Sequence, residues 1–162
     1  MSGRRNAELL NGKSSFTKVD DRMVVFDGQL KTAPGQARSY TIPLLCKTDT
    51  FLNAFAILRE KQGDVSGLTD KEVHARYGSN FTVPLIHRIF PGVPKSHGFR
   101  GMYARYVEIC FKHEPDPAYN YLCCQLLGHA KIQESLNYVW VKLDDVDAIR
   151  HTFGKLCLDD NE

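Results

Sequence analysis

The sequence predicts a mainly helical α+β fold with a small three-stranded antiparallel sheet, formed as a single domain over residues 1–162. Three observations support this prediction. Residues 14–45 are rich in β-branched and aromatic side chains and are interrupted by turn signals. From residue 48 onward, helix-capping residues and apolar side chains at helical spacing dominate instead. The chain also shows no internal repeat that would divide it.

The first part of the chain is predicted to form one short helix followed by the sheet. In order, we expect a helix over residues 4–11 and strands over residues 14–20, 22–30 and 39–45. Gly12 is a natural helix terminus, and Pro34-Gly35 is the strongest turn signal between the second and third strands. Pro43 places the third strand at a sheet edge, or marks the end of that strand.

The remainder is predicted to be helical. Helices are expected over residues 48–62, 69–77, 80–90, 117–127, 133–138 and 146–158, with another that begins at Ser96 and carries His97 and Arg100. Phe51, Phe55 and Leu58 lie on one face of the first of these helices. Thr69-Asp-Lys-Glu is a capping box for the second of these helices. Gly128 ends the helix predicted over residues 117–127.

The composition indicates a globular protein of the cytoplasm. With 43% hydrophobic and 25% charged residues, 162 residues suffice to bury a core. The chain lacks the roughly 18 consecutive apolar residues of a membrane helix, and its start does not have the layout of a secretory signal. Five cysteines without paired spacing favour reduced thiols. The net charge of +2 permits a nucleic-acid partner without predicting one.

The polar residues that could do chemistry are informative only as an ordered set. Taken singly, each has an ordinary structural role, such as a surface arginine or a histidine in a turn. Together they form a series: Gly3-Arg4-Arg5-Asn6-Ala7-Glu8-Leu9, then Lys31 at the predicted hairpin, His97-x-x-Arg100, Leu126-Leu-Gly128-His129, and Tyr138 nine residues beyond His129.

This series resembles the arginine, lysine, histidine and tyrosine set of the tyrosine recombinases, and the match runs from residue 3 to residue 138. The resemblance implies a DNA strand transferase whose partner is double-stranded DNA. Tyr138 would attack a phosphodiester, join the 3′ phosphate and expel a 5′-hydroxyl. It also implies a bacterial plasmid or phage context, with the protein associated with the nucleoid.

The resemblance assigns a role to each member of the set. A tyrosine with a pKa of about 10 is a poor nucleophile at neutral pH and needs help. Arg5 and Arg100 would clamp the non-bridging oxygens, where negative charge gathers in the transition state. His129 would share that clamp, and His97 would bond the phosphate or assist deprotonation of Tyr138.

Lys31 would act as the general acid that protonates the departing 5′-oxygen. The family spacing to Glu8 selects Arg5 rather than Arg4 as the catalytic arginine. We predict DNA contacts for Arg4, Lys95 and Arg105.

No cofactor is expected. Side chains would supply the positive charge that metals supply in other phosphoryl-transfer enzymes, and the cysteine and histidine spacings do not match a metal site. The sequence contains no glycine-rich phosphate-binding loop. A phosphotyrosine link would keep the energy of the broken bond, which would make ATP unnecessary.

Two departures from the usual recombinase pattern refine the expectation. The chain begins at the helix of Arg5 and lacks separate DNA-gripping domains, so we expect a catalytic domain that is short at its N-terminus. The helix after His97 has the form Arg-x-x-Tyr-Ala, which resembles the telomere resolvases, or protelomerases. Those enzymes reseal the cut ends of an inverted repeat as hairpins, which implies a dimer on DNA.

Alternatives to the telomere resolvase interpretation stay open. An integrase would exchange strands between two duplexes as a tetramer. A type IB topoisomerase shares the chemistry but usually lacks the Leu-Gly-His element. A DNA-binding remnant would have lost catalysis, although all six residues of the set are present here.

Overall fold

The computed structural model describes residues 2–30, 39–89, 98–111, 118–129, 131–138 and 141–158, and for residues 80, 81 and 154–158 it describes the backbone alone. Several predicted features lie outside these residues: the hairpin turn with Lys31 and Pro34-Gly35, the loop at residues 91–94, and the helix start with Lys95, Ser96 and His97.

The predicted sheet is confirmed. Its strands are β1 (Ser15–Lys18), β2 (Met23–Asp27) and β3 (Ser39–Pro43). They pair antiparallel in the order β1-β2-β3, so β2 is central and Pro43 ends the edge strand β3. Val24, Phe26 and Ile42 are fully buried, because alternate residues of a strand point to the same face.

The helices follow the predicted order with small changes at their ends. They are α1 (Asn6–Leu10), α2 (Thr48–Gln62), α3 (Asp70–Val73), α4 (Val83–Ile89), α5 (Gly98–Phe111), α6 (Tyr119–Leu127) and α7 (Val146–Leu158), with a 3-10 helix at Ile132–Tyr138. The capping box predicted at Thr69 is present: the Thr69 backbone N–H donates to the Glu72 carboxylate (2.8 Å), and the Thr69 side chain accepts from the Glu72 N–H.

The helical region differs from the prediction at Gly78. The sequence pattern predicts that one helix ends there and that another begins at residue 80, whereas a π-helix over His74–Thr82 joins α3 directly to α4. The wider π turn passes Gly78 against the ring of His74, where a side chain would collide. The Thr82 hydroxyl also donates to the carbonyl of Tyr77 (2.7 Å), which satisfies one acceptor in this stretch.

Three apolar clusters form the core. One joins α5, α6 and the 3-10 helix, the second lies on the buried face of the sheet, and the third lies between α1, α3 and the residues that follow α2. Phe16 of β1 connects the sheet to α2 through ring contacts with Phe51 and Phe55, whose centroids lie 4.8 and 4.9 Å from its own. The candidate site lies where the first cluster meets the segment that leads into α1.

Two findings bear on the compositional predictions. The four cysteines whose side chains are described, Cys46, Cys110, Cys123 and Cys124, are thiols that form no disulfide with one another. In the described part of the chain, no helix has both the length and the apolar character needed to cross a membrane.

Candidate active site

The segment before α1 positions the first arginine of the site. Arg5 has an extended backbone (φ −67°, ψ 145°), and Asn6 begins the helix behind it. The fully buried Glu8 carboxylate accepts from the Arg5 backbone N–H (2.9 Å) and from its Nη1 (2.7 Å). One carboxylate thus accepts from a backbone N–H at the start of the helix and also holds the Arg5 guanidinium in place.

Glu8 is ionised in spite of its burial. Burial alone would raise its pKa, but the hydrogen bonds from Arg5 and the positive charges of Arg5 and Arg4 outweigh this effect, so the pKa of Glu8 lies below its usual value. A Glu8 oxygen also lies 3.9 Å from Nη1 of Arg100. Glu8 therefore lies between the two arginines that the sequence assigned to the phosphate clamp.

Arg100 projects from α5 into the interior and is 2% exposed. Its Nη1 donates to the carbonyl of Gly3 (2.7 Å) and its Nη2 to the carbonyl of Leu127 (3.0 Å). Burial lowers the pKa of Arg100, the charges of Arg4 and Arg5 lower it further, and a hydrogen bond with the side chain of Tyr138 opposes both effects.

The Arg100 cluster has the electrostatics of an anion site. Arg4 and Arg5 are close enough to lower the pKa of both Arg100 and Glu8, and Glu8 is the buried acid among these three arginines. Among the residues that the structure describes, no hydrogen-bond acceptor faces Nε of Arg100. An excess of positive charge with a free donor suits a phosphate oxygen.

His129 and Tyr138 meet in the same place. Helix α6 ends at Gly128, which adopts the left-handed conformation (φ 64°) that favours glycine at a helix terminus, and His129 follows at once. The His129 ring stacks on Tyr138 with centroids 5.5 Å apart and an interplanar angle of 23°. Its Nδ1 lies 2.9 Å from the hydroxyl of the fully buried Ser135. Tyr138 itself is 4% exposed.

Four of the six predicted catalytic residues are therefore brought together: Arg5, Arg100, His129 and Tyr138. Lys31 and His97 lie outside the described residues. The arrangement combines a phenol, a cation that interacts electrostatically with it, a histidine stacked on it and a second arginine nearby. This combination can stabilise negative charge on a phosphate while a tyrosine oxygen attacks.

The three predicted DNA contacts have different surroundings. Lys95 lies outside the described residues. Arg4 is buried, and its guanidinium donates to the carbonyls of Ser2 and Leu126 and to the hydroxyl of Tyr40. Arg105 on α5 is partly exposed; its Nε donates to the carbonyl of Val141 (3.1 Å), its Nη1 pairs with Glu108, and its guanidinium lies over the ring of Tyr119.

Two residues of the site were not assigned a role from the sequence. Glu8 is part of the motif that selects Arg5, and its three-residue spacing at a helix start is a signal for a capping carboxylate. Ser135 gave no such signal, because nothing in its neighbourhood predicts that the short helix would turn its hydroxyl onto His129. Among the described residues, no group of three metal-binding side chains is present.

Comparisons with known proteins bear on the family and the fold of the chain. The sequence matches the family described as the telomere resolvase ResT/TelK catalytic domain over residues 1–139. The fold is similar to a solved structure, "protelomerase TelK complexed with substrate DNA", with a TM-score of 0.66 and 23% sequence identity. That match covers 90% of this chain and 30% of the other, so this chain spans less than a third of that protein. No curated protein sequence matches.

The family match covers most of the 162 residues and includes every residue of the predicted catalytic set. It also confirms the branch that the Arg-x-x-Tyr-Ala pattern indicated. The chain therefore belongs to the telomere resolvase ResT/TelK catalytic domain family.

Proposed function

We propose that this chain cleaves and rejoins DNA through a 3′-phosphotyrosine intermediate. The Tyr138 oxygen attacks the scissile phosphorus, a bond to phosphorus forms, and the 5′-oxygen of the next nucleotide leaves as a hydroxyl after gaining a proton. Rejoining reverses these steps when a 5′-hydroxyl attacks the phosphotyrosine and Tyr138 is released. The observation that carries this proposal is the stacking of Tyr138 on His129, together with the electrostatic interaction of Tyr138 with Arg100.

The roles of the other residues follow from their charge and position. Arg5 and Arg100 hold the non-bridging oxygens, and the free Nε of Arg100 among the described residues is a donor suited to one of them. His129 shares this task. His97 bonds the phosphate or assists deprotonation of Tyr138, and Lys31 protonates the leaving oxygen. In this scheme arginines provide the positive charge, and neither metal nor ATP is required.

The substrate proposal is an inverted repeat in double-stranded DNA that is resolved into two hairpin ends. Membership of the telomere resolvase family supports it. Two protomers would cut opposite strands. The 5′-hydroxyl left on each arm would then attack the phosphotyrosine on the complementary strand of the same arm, which releases Tyr138 and closes that arm as a hairpin. Lys95 and Arg105 remain proposed DNA contacts, and the site of action would be plasmid or phage DNA in the bacterial cytoplasm.

Access to the nucleophile places a condition on this mechanism. Tyr138 is 4% exposed, so a DNA phosphate reaches its oxygen only after the 3-10 helix that carries it, or the side chains packed against it, move. That helix contacts α5 and α6 through the aromatic and aliphatic side chains around Tyr138. We therefore propose that DNA binding exposes the Tyr138 oxygen to the phosphate while the tyrosine stays beside Arg100 and His129.

A covalent adduct assay tests the chemistry. The chain is incubated with a nicked substrate from which the leaving strand diffuses away, and protein linked to DNA is detected by denaturing electrophoresis. The unaltered chain should give an adduct that withstands EDTA, and Tyr138→Phe should give none at unchanged DNA affinity. Tyr121→Phe, at a tyrosine that is 54% exposed on α6, is the matched control. DNA binding without any adduct would favour the non-catalytic alternative.

The product distinguishes a telomere resolvase from an integrase. A longer protein that contains this domain is incubated with a linear inverted-repeat substrate. Shorter products that reanneal at once after denaturation are expected, because their two strands are covalently joined. Junctions between two separate duplexes, without such products, would support the integrase alternative instead.

A further inference from the structure

The interior position of Arg4 is the starting observation. Arg4 precedes the catalytic candidate Arg5 but is 5% exposed. Its Nε donates to the carbonyl of Ser2 (3.1 Å), and its two terminal nitrogens donate to the Tyr40 hydroxyl and to the Leu126 carbonyl. Its guanidinium also lies over the rings of Phe26 and Tyr40, 5.0 and 5.3 Å from their centroids. All three nitrogens of this arginine are thus used inside the protein.

The partner of Arg4 on α6 belongs to a larger arrangement. Three consecutive carbonyls at the end of this helix accept hydrogen bonds from three distant segments of the chain. In order, they are Leu126 from Arg4, Leu127 from Arg100 and Gly128 from Gln29. The last carbonyls of a helix lack partners within the helix and carry its negative pole, so two arginines and an amide are well suited to them.

The C-terminal end of α6 lies directly before His129. Arg100 donates from α5 both to Leu127 and to Gly3, the residue before Arg4. Arg4 and Arg100 therefore attach the segment that carries Arg5 to the helix that ends at His129. A displacement of this contact would change the distances among the arginines and the histidine together.

We infer that Arg4 is a positioning residue. By binding the C-terminal carbonyls of α6, it keeps Arg5, Arg100 and His129 at fixed distances from one another. This inference rests on the proposed strand-transfer function. It replaces the DNA contact expected from the sequence, because the Arg4 guanidinium is committed to three interior acceptors. Misplacement of reacting groups by about 1 Å can cost as much as a hundredfold in rate, so such a contact can control catalysis without touching DNA.

The test compares Arg4→Met with Arg59→Met in the whole chain. Arg59 is a suitable control because it also donates to interior acceptors, the backbone and hydroxyl of Ser14, and stacks over a ring, that of Phe55. Adduct formation at saturating DNA, DNA affinity at several salt concentrations, and the NMR signals of the His129 ring are measured below the unfolding temperature of each variant.

The expected result is specific to Arg4. Arg4→Met should slow adduct formation by roughly tenfold to a hundredfold and shift the His129 ring signals. Its DNA affinity and the salt dependence of that affinity should stay unchanged. Arg59→Met should lower thermal stability alone. Tyr40→Phe, which removes one acceptor of Arg4, should give the same changes to a smaller extent and serves if Arg4→Met does not fold.

Two outcomes would overturn the inference. A salt dependence weakened by about one phosphate contact in Arg4→Met would mean that Arg4 binds DNA directly. Unchanged adduct formation and unchanged His129 signals would mean that the contact does not position the site. If the unaltered chain forms no adduct, the proposed function fails. The NMR signals of the His129 ring in Arg4→Met then still report whether Arg4 positions His129.

Discussion

Replacing Arg100 with alanine removes a buried cation that interacts electrostatically with the proposed nucleophile, Tyr138. The loss of one donor that stabilises transition-state charge slows an enzyme by roughly a hundredfold to a thousandfold, which corresponds to about 3–4 kcal/mol. We expect a loss of this size in the rate of adduct formation once DNA is bound. DNA affinity should change much less, because Arg100 is 2% exposed and, in the proposed mechanism, holds only the reacting phosphate.

The same substitution also affects stability, and the structure allows this effect to be separated. The carbonyls of Gly3 and Leu127 would lose their donors (2.7 and 3.0 Å), at a cost of about 1–3 kcal/mol for each buried acceptor left unpaired. The assay is therefore run at a temperature where circular dichroism shows that the variant is folded.

Arg105→Ala is the matched control on the same helix. It also removes interior contacts, a hydrogen bond to the carbonyl of Val141 and an ion pair with Glu108. Single-turnover adduct formation on a nicked substrate should be far less affected than in Arg100→Ala. Equal losses in the two variants would refute the reasoning, since they would mean that Arg100 serves general phosphate binding or folding.

Three further predictions concern the acid, the histidine and the buried carboxylate. Lys31→Ala should be rescued selectively when sulfur replaces the bridging 5′-oxygen, because a thiolate leaves without a proton; no rescue would mean that Lys31 is not the acid. Ser135→Ala removes the hydrogen bond to Nδ1 of His129 (2.9 Å), so adduct formation should fall roughly tenfold. Ser135→Thr keeps a hydroxyl and should restore adduct formation. An equal loss in both variants would contradict this role for Ser135. The pKa of Glu8 is lowered on folding, because the hydrogen bonds from Arg5 outweigh burial, so the folded state binds fewer protons. Its stabilising contribution is present above the unfolded pKa and disappears as the pH falls through the folded one. Glu8→Gln should therefore weaken the pH dependence of stability in acid, as measured by urea unfolding between about pH 5 and pH 2; an unchanged dependence would contradict the assignment.

Much of the fold could be predicted because its signals are local. The Thr69 capping box, the Gly128 helix terminus and the apolar face with Phe51 and Phe55 each depend on residues within a few positions of one another. The break predicted at Gly78 was wrong, because a π turn lets the helix continue past a glycine when that glycine packs against His74.

The candidate site was predictable as a set of residues but not as an arrangement. Arg5 and Arg4 are adjacent, and an extended backbone turns neighbouring side chains to opposite sides, so one guanidinium enters the interior. Which acceptors it meets depends on the end of α6, more than a hundred residues away in the chain. Sequence spacing contains no information on that contact, nor on the hydrogen bond from Ser135 to His129.

The identity of the nucleophile is the central claim, and peptide mapping tests it most directly. The covalent adduct formed on a nicked substrate is digested with nuclease and protease, and the peptide that retains a nucleotide is identified by mass spectrometry. We predict that the modified residue is Tyr138, which stacks on His129 and interacts electrostatically with Arg100. A nucleotide attached to Tyr121 or Tyr106 instead would contradict the mechanism.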